Sequence, residues 1–280
     1  MTPPDDARLP APWGRHPLPD DEPLSLELGP LLLRARRRAG EVWLAHEPGD
    51  WTRAGRAAAG ARTGAGPAGG GEDPEDWVRW PLPDAGTELE LTPILPTRPL
   101  VAEPEFAFRL LPRARARIFV RVPLWVRVSV PLEGEARELT EVPTVTLSDT
   151  WWGTPTEGEL CWWLSTTARR EVTSEVFEPH VAVCPLALVN RSDDELPVEK
   201  IAVRVAHLTL FSDEGRLWAD GTRIRYRGVE EGSDLEFSGR PPDEAPDAVR
   251  VVEPREEAPS RGFHARTFAR LKSLPGLGGL

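Results

Sequence analysis

Two pairs of adjacent tryptophans are the residues best suited to binding chemistry. Four of the chain's 11 tryptophans form the pairs Trp151-Trp152 and Trp162-Trp163. Neighbouring side chains on a strand point to opposite faces, so one indole of each pair can enter the core while the other faces solvent. An exposed indole can stack on a sugar or a base, or anchor a partner protein. The competing interpretation is that all four indoles fill the core and cover its edges.

The segment between the two pairs completes this candidate binding surface. Gly153 and Gly158 bracket a tight loop, and a further tryptophan lies on the arginine-rich stretch described below. Glycines at these places are typical of a sharp turn between two strands. The candidate binding residues are Trp151, Trp152, Gly153, Thr154, Pro155, Trp162, Trp163 and Trp125.

Hydrolytic chemistry has candidate residues but no local signature. A nucleophile needs a base beside it and an acid that orients the base. The residue types are available in Cys161, Ser165, His180 and Asp149. The chain has no GxSxG elbow, and a β protein of this size offers such residues by chance. A hydrolase around Cys161, His180 and Asp149 is therefore the least favoured hypothesis, and no catalytic residue is assigned.

Two other kinds of chemistry are also weakly supported. Glu157 and Glu159 flank the tryptophans, as the carboxylates of a glycosidase would, but acids beside glycine are more typical of solvated turns. Zinc would need convergent thiols and imidazoles, and the chain has no CxxC or HxxxH spacing. The residues weighed for zinc are Cys161, His180, Cys184 and His207. We expect two core thiols, no metal and no cofactor.

A long alternation of apolar and charged residues occupies positions 114–130. Every even position from Ala114 to Val130 is apolar, and the odd positions include Arg115, Arg117, Arg121 and Arg127. A period of two held this long predicts a strand with one dry face and one guanidinium-bearing face. Pro123 interrupts it and indicates a bulge or an unpaired side at that point.

The arginine-bearing face has two interpretations. The arginine-rich residues 101–132 precede the acidic residues 133–178, which favours cross-strand ion pairs on a solvated face. The rival is a phosphate or RNA surface with Trp125 and Tyr226 interleaved. A net charge of −11 argues against nucleic acid as a partner.

The remaining chain predicts a mostly β fold. Short alternating segments between residues 24 and 238 are separated by turns rich in the 31 prolines and 24 glycines. Asp220-Gly221, within 216–227, is the dipeptide that a type I′ hairpin prefers. Apolar residues about one helical turn apart predict a single short helix over 264–273. The expected architecture is an antiparallel β-sandwich or flattened barrel with one short C-terminal helix.

Composition sets the expected boundaries and location. We expect a disordered segment over 1–22, a sandwich-like domain over 23–239 with a flexible Ala/Gly insertion at 52–76, and a Pro/Glu linker with the short helix over 240–280. The N-terminus carries no basic or apolar leader, and no apolar run is long enough to cross a membrane. The chain is therefore expected to be cytoplasmic and not membrane-spanning.

Several short motifs carry a family resemblance. They are Pro96-Thr97-Arg98-Pro99, the strand 118–130, Gly153-Thr154-Pro155, Cys184-Pro185 through Asn190, and Leu217-Trp218. Together they resemble the uncharacterised prokaryotic family known as domain of unknown function 432. The likeness spans residues 24–240 and leaves out 52–76 and the 240–280 tail. It supplies no catalytic residues and implies a soluble β-rich protein, an accessory to a membrane transport system.

The functional expectation follows from these observations. The favoured hypothesis is a noncatalytic scaffold or protein-interaction protein that docks through the aromatic loop at 151–155. The alternative is a carbohydrate- or nucleotide-binding module that uses exposed tryptophan. The expected partner is a protein, with a membrane transport component suggested by the resemblance alone.

Overall fold

The fold is mostly β, as the alternation predicts. The computed structural model describes residues 9–51, 60–63, 77–82, 86–228, 232–258, 263–265 and 267–269. Within them lie the three-residue 3-10 turns Ser174–Val176 and Val205–His207 and no α-helix. The strands are β1 Gly14–Pro17, β2 Leu24–Leu28, β3 Leu31–Arg38, β4 Glu41–Glu47, β5 Gly60–Thr63, β6 Val78–Pro81, β7 Glu88–Ile94, β8 Leu100–Pro104, β9 Phe108–Leu110, β10 Arg115–Pro123, β11 Trp125–Leu132, β12 Glu135–Pro143, β13 Ser148–Gly153, β14 Gly158–Arg169, β15 Val181–Asn190, β16 Leu196–Val198, β17 Lys200–Val203, β18 Leu210–Asp213, β19 Arg216–Ala219, β20 Thr222–Gly228, β21 Gly232–Phe237, β22 Val249–Val252, β23 Phe263–Ala265 and β24 Phe268–Ala269.

Several sheets, largely antiparallel, are built from these strands. The largest is 13-stranded, with the path β22-β18-β19-β15-β10-β14-β8-β17-β24, and with β13 on β14, β20 on β15, β21 on β20 and β23 on β21. The others have the orders β1-β7-β11-β12, β5-β2-β3-β4-β6 and β16-β9. Only three of the pairings between described strands are parallel: β14 with β8, and β15 with β19 and β20. The predicted antiparallel β class is confirmed.

The alternating stretch 114–130 is two strands rather than one. It forms β10 in the large sheet and β11 in the four-stranded sheet, with Leu124 between them. The N–H of Leu124 donates to the His180 carbonyl at 2.9 Å, and its carbonyl accepts the Thr144 hydroxyl at 2.6 Å. Pro123 still pairs with Val181, so the proline ends one strand without a bulge. The chain therefore changes sheets at Leu124 while its apolar face stays buried.

The folded unit extends past both of the expected boundaries. Trp13 and Leu18 are buried in the main core, although residues 1–22 were expected to be disordered. In the tail, Ala245 and Ala248 pack in a second cluster, and β22 pairs with β18. Within the expected insertion 52–76, β5 pairs with β2; the rest of that segment lies outside the described residues.

The prediction of a hairpin at Asp220-Gly221 is wrong. β19 and β20 do not fold back on each other, because both run parallel to β15, one after the other. Leu217 pairs with Ala182, but Thr222 pairs with Leu186. The β19–β20 segment therefore has one residue more than β15 over this span, as at a β-bulge. The reason is that Asp220 is fully buried. Its carboxylate accepts the N–H of Thr209 at 2.7 Å and the N–H of Gly239 at 2.8 Å.

The prediction of a C-terminal helix over 264–273 is also wrong for those of its residues that the structure describes, because they lie in or beside two short strands. Phe263–Ala265 pairs with β21 and Phe268–Ala269 with β17. The Phe268 ring meets Tyr226 edge-on at 5.8 Å between centroids. A short helix with three apolar positions gains little by itself, whereas these segments extend existing sheet edges. Residues 270–273 lie outside the described part of the chain.

Replacing Asp220 tests this buried connection. Asp220→Ala leaves the N–H groups of Thr209 and Gly239 without their acceptor, so we expect the free energy of unfolding to fall by about 2–4 kcal/mol. Asp213→Ala, at the partly exposed end of β18, is the matched control and should change the free energy of unfolding by less than about 0.5 kcal/mol. Urea unfolding measures both. Equal stability of the two variants would refute the role given to Asp220.

Candidate functional site

Most of the candidate binding residues lie on the hairpin of β13 and β14. The antiparallel register places Trp151 opposite Leu160, and Trp152 opposite Glu159. Trp152 is 2% exposed, whereas Trp151 is 38% exposed. The first tryptophan pair therefore divides between the core and the surface, as strand alternation requires.

The inward face of the hairpin is part of the core. Trp152 packs with Cys161, Val101 and Ala202. Beside them, the Nζ atom of the buried Lys200 lies 4.3 Å from the centroid of the Trp163 ring. These contacts give Trp152 and Trp163 a packing role.

The buried charges of the inward face are compensated. The Lys200 ammonium lies 3.3 Å from the carboxylate of Glu103. Nearby, the guanidinium of Arg204 forms an ion pair with Glu159. Burying a charge without a partner is costly, so these pairs stabilise the inward face rather than offer a free binding group.

The loop at the end of the hairpin is rigidly held. The N–H of Thr154 donates to the Glu157 carbonyl at 2.9 Å, and the N–H of Glu157 donates to the Thr154 hydroxyl at 3.0 Å. Gly153 has φ = 135°, which favours glycine. The indole N–H of Trp151 donates to the Thr154 carbonyl at 2.7 Å. Pro155 is exposed at the loop tip, so the loop presents a fixed shape to solvent.

The outward face of the hairpin joins apolar and charged groups. Leu160, 41% exposed, lies beside Trp151. Further along, the Arg98 guanidinium lies 4.6 Å from the Trp162 ring centroid and donates to Asp149 at 2.8 Å. We call this set, defined by Trp151, Leu160, Trp162, Arg98 and Asp149, the outward face.

Trp125 reaches the outward face from the neighbouring sheet. Its ring centroid lies 6.0 Å from that of Trp162. Sequence reasoning missed Leu160, although its place two residues before Trp162 on one strand could have identified it.

No described strand pairs with the outer edge of β13. β13 pairs with β14 alone among the described strands, and β10 continues on the same side of β14 further along. Alternate residues of an edge strand direct N–H and C=O groups away from the sheet. The hairpin therefore presents a row of main-chain donors and acceptors next to Trp151 and Leu160.

A family model described as "Protein of unknown function (DUF432)" matches residues 12–272. The chain belongs to this family. The match includes the 52–76 segment and most of the tail, both of which sequence reasoning had left outside the likeness. No curated protein and no solved structure matches the chain. None of the helices in the described part is long and apolar enough to cross a bilayer.

The residues weighed for hydrolysis do not form a constellation in this family member. Cys161 is fully buried, and burial, with a smaller effect of the Glu159 charge, raises the pKa of its thiol to about 12. Asp149 lies on the opposite face of the hairpin, where it pairs with Arg98. The side chain of Ser165 lies outside the described residues. No hydrogen bond among the described residues joins Cys161, Asp149 and His180.

The residues weighed for zinc are likewise separated. Burial raises the pKa of the Cys184 thiol, and both cysteines are free. His207 contacts Glu256 and the ring of Phe237. In the described part of the chain, no three His, Cys, Asp or Glu side chains are placed to hold a metal ion.

His180 is instead a buried packing residue that contacts Gly29 and Trp51. It is 1% exposed and meets the Trp51 ring edge-on at 6.1 Å between centroids. A Cβ on Gly29 would lie 2.2 Å from its Nδ1 atom, so a glycine is required there. Its neighbour Glu178 is engaged by Arg121 at 2.5 Å. Burial, with a smaller effect of the Arg121 charge, lowers the pKa of His180 to about 4.

The pKa of His180 predicts how stability depends on pH. The imidazole takes up a proton near pH 6.5 in the unfolded chain but only near pH 4 in the folded protein. Stability from His180 is therefore complete above about pH 6.5 and falls as the pH drops towards 4, by roughly 3 kcal/mol in total. Burial also lowers the pKa of His46, so the comparison must isolate His180. Urea unfolding of wild type and His180→Gln at pH 7 and pH 4.5 should show a smaller loss in the variant; an identical loss would contradict the assignment.

Proposed function

We propose that this protein is a noncatalytic interaction protein that binds an extended segment of a partner protein along the open edge of β13. The observation that carries the proposal is the edge of β13 that no other described strand pairs with, beside two exposed apolar side chains, Trp151 and Leu160. An extended peptide added to a sheet edge gains main-chain hydrogen bonds, and neighbouring side chains give it specificity.

The side chains of the outward face suit such a segment. Trp151 and Leu160 form an apolar patch at the loop end of the hairpin. Arg98 and Asp149 form a charged pair at the other end. Aromatic and arginine residues are enriched at protein interfaces. We therefore expect an extended segment with an apolar side chain over Trp151 and a polar one near Arg98.

The packing of the indoles favours a protein segment over a sugar. The ring of Trp151 lies over Gly158, where an added Cβ would be 2.7 Å from the ring. One face of the Trp162 ring is covered by Arg98. Stacking on a sugar or a base uses an open ring face, so these arrangements support the docking hypothesis over the carbohydrate or nucleotide module.

The proposal includes a cytoplasmic location for this protein and a class of partner. A cytoplasmic protein that docks on an extended segment needs a partner with a free chain end or loop. A cytoplasmic segment of a membrane transport component is the partner that the family resemblance favours.

Site-specific crosslinking tests the docking edge. A photoreactive amino acid at position 160, introduced in the native host, should crosslink to one partner segment, and the same residue at the exposed Leu111 should not. In the complex of the purified proteins, the β13 amides should gain protection from hydrogen exchange. Leu160→Lys should weaken this complex by at least about tenfold, because it removes an apolar contact from the interface.

Leu111→Lys is the matched control for that affinity. It places the same charge at another exposed leucine, away from β13, and should leave the complex unchanged. Two results would overturn the proposal: β13 amides that exchange as fast in the complex as in the free protein, or equal affinity of the two variants.

A further inference from the structure

Strand register gathers arginines on one face of the large sheet. Arg117 pairs with Ala187 of β15, and Ala187 pairs with Arg223 of β20. One row further along, Arg115, Val189 and Arg225 are aligned in the same way. Paired residues of adjacent strands point to the same side. Each row therefore carries two guanidinium groups that flank a small apolar side chain.

These rows line a trough with a volume of about 450 Å³. Its walls carry five arginines and no acidic residue, and its floor is formed by apolar residues of β10 and β15. The volume falls in the range of small-molecule sites, roughly 300–1,000 Å³. The lining arginines are Arg115, Arg117, Arg191, Arg223 and Arg225.

The positive charge of the trough is only partly balanced. Arg117 forms a two-pronged pair with Glu244, both bonds 2.6 Å long. Arg225 and Arg223 share Glu236 at 2.5 and 3.5 Å.

Two of the five guanidinium groups have no such partner. The side chains of Arg115 and Arg191 form no ion pair or hydrogen bond with any described residue. In a chain of net charge −11, unbalanced like charges brought together by strand pairing cost stability. A bound anion removes that cost.

The geometry of the trough favours phosphate groups. Arginine binds phosphate with a planar fork of donors, often through two parallel bonds. Rows two residues apart along a strand are separated by about 7 Å, and β10 and β20 lie about 10 Å apart across β15. A ligand with several phosphate groups can contact both rows, and both β10 and β20, at the same time.

We propose that this trough is a binding site for a small molecule that carries two or more phosphate groups. Arg115 and Arg191 supply free guanidinium groups for the first contacts. Arg117, Arg223 and Arg225 contribute once the ligand competes with Glu244 and Glu236. The site lies on β10, β15 and β20, separate from the β13 edge, and does not depend on the docking function.

Isothermal titration calorimetry tests the site with three probes: pyrophosphate, ATP and inositol hexakisphosphate. At least one should bind saturably at 150 mM salt. Arg115→Gln and Arg191→Gln should each weaken binding by about tenfold, because each removes charge-assisted hydrogen bonds. Arg137→Gln, at an exposed arginine of β12, is the matched control and should change the affinity by less than about twofold.

A gain-of-affinity variant separates this role from a structural one. Glu244→Gln removes the two-pronged carboxylate partner of Arg117 and leaves Asp243 at 3.5 Å. Phosphate affinity should therefore rise by several-fold, whereas loss of a merely structural ion pair would not raise it. The ATP and inositol hexakisphosphate arms distinguish a nucleotide from an inositol phosphate. Three outcomes would overturn the proposal: no saturable binding of any probe, equal effects of Arg115→Gln and Arg137→Gln, or binding of an oligoribonucleotide without binding of the small probes.

Discussion

The structure depends on one apolar face that stays dry while its strand passes from one sheet to another. The main chain of Leu124 joins the sheets, because its N–H donates to the carbonyl of His180, just before β15, and its carbonyl accepts from Thr144, just after β12. Burying an apolar side chain of this size stabilises a fold by about 1.5–3 kcal/mol, so a continuous row binds the two sheets into one core. The residues of this row, each 0% exposed, are Val120, Val122, Leu124, Val126, Val128 and Val130.

The opposite face of β10 and β11 carries the arginines, and the neighbouring strands decide whether these arginines find acidic partners. On β11, Arg127 is cross-strand paired with Glu141 at 2.8 Å and lies 2.9 Å from Glu138, so that end forms the ion pairs expected of a solvated face. On β10, Arg115 is paired across the strands with the apolar Val189 of β15 and lines the trough. The same alternation thus yields a balanced surface in one sheet and a partly balanced one in the other, because the neighbouring strands differ.

Sequence reasoning predicted what alternation encodes and missed what long-range pairing decides. The dry face of 114–130 and the antiparallel β class follow from the period of two. The change of sheet at Leu124 did not, because Pro123 fits a strand end and a bulge equally well. Asp220-Gly221 looks like a hairpin turn until Thr209 and Gly239 supply partners for a buried carboxylate. The tryptophan-bearing hairpin was placed correctly in the chain, but its open edge depends on which strands come to lie beside β14.

Hydrogen exchange in a Leu124→Ala variant tests the shared core most directly. We expect the most protected amides of β10 and β15 and those of β7 and β11 to lose the same amount of protection, about 2–5 kcal/mol, since removal of Leu124 weakens both sheets together. Leu111→Ala, at an exposed leucine, should leave both sets unchanged. Loss of protection in one sheet while the slowest amides of the other keep their wild-type rates would contradict a single core built around this crossing.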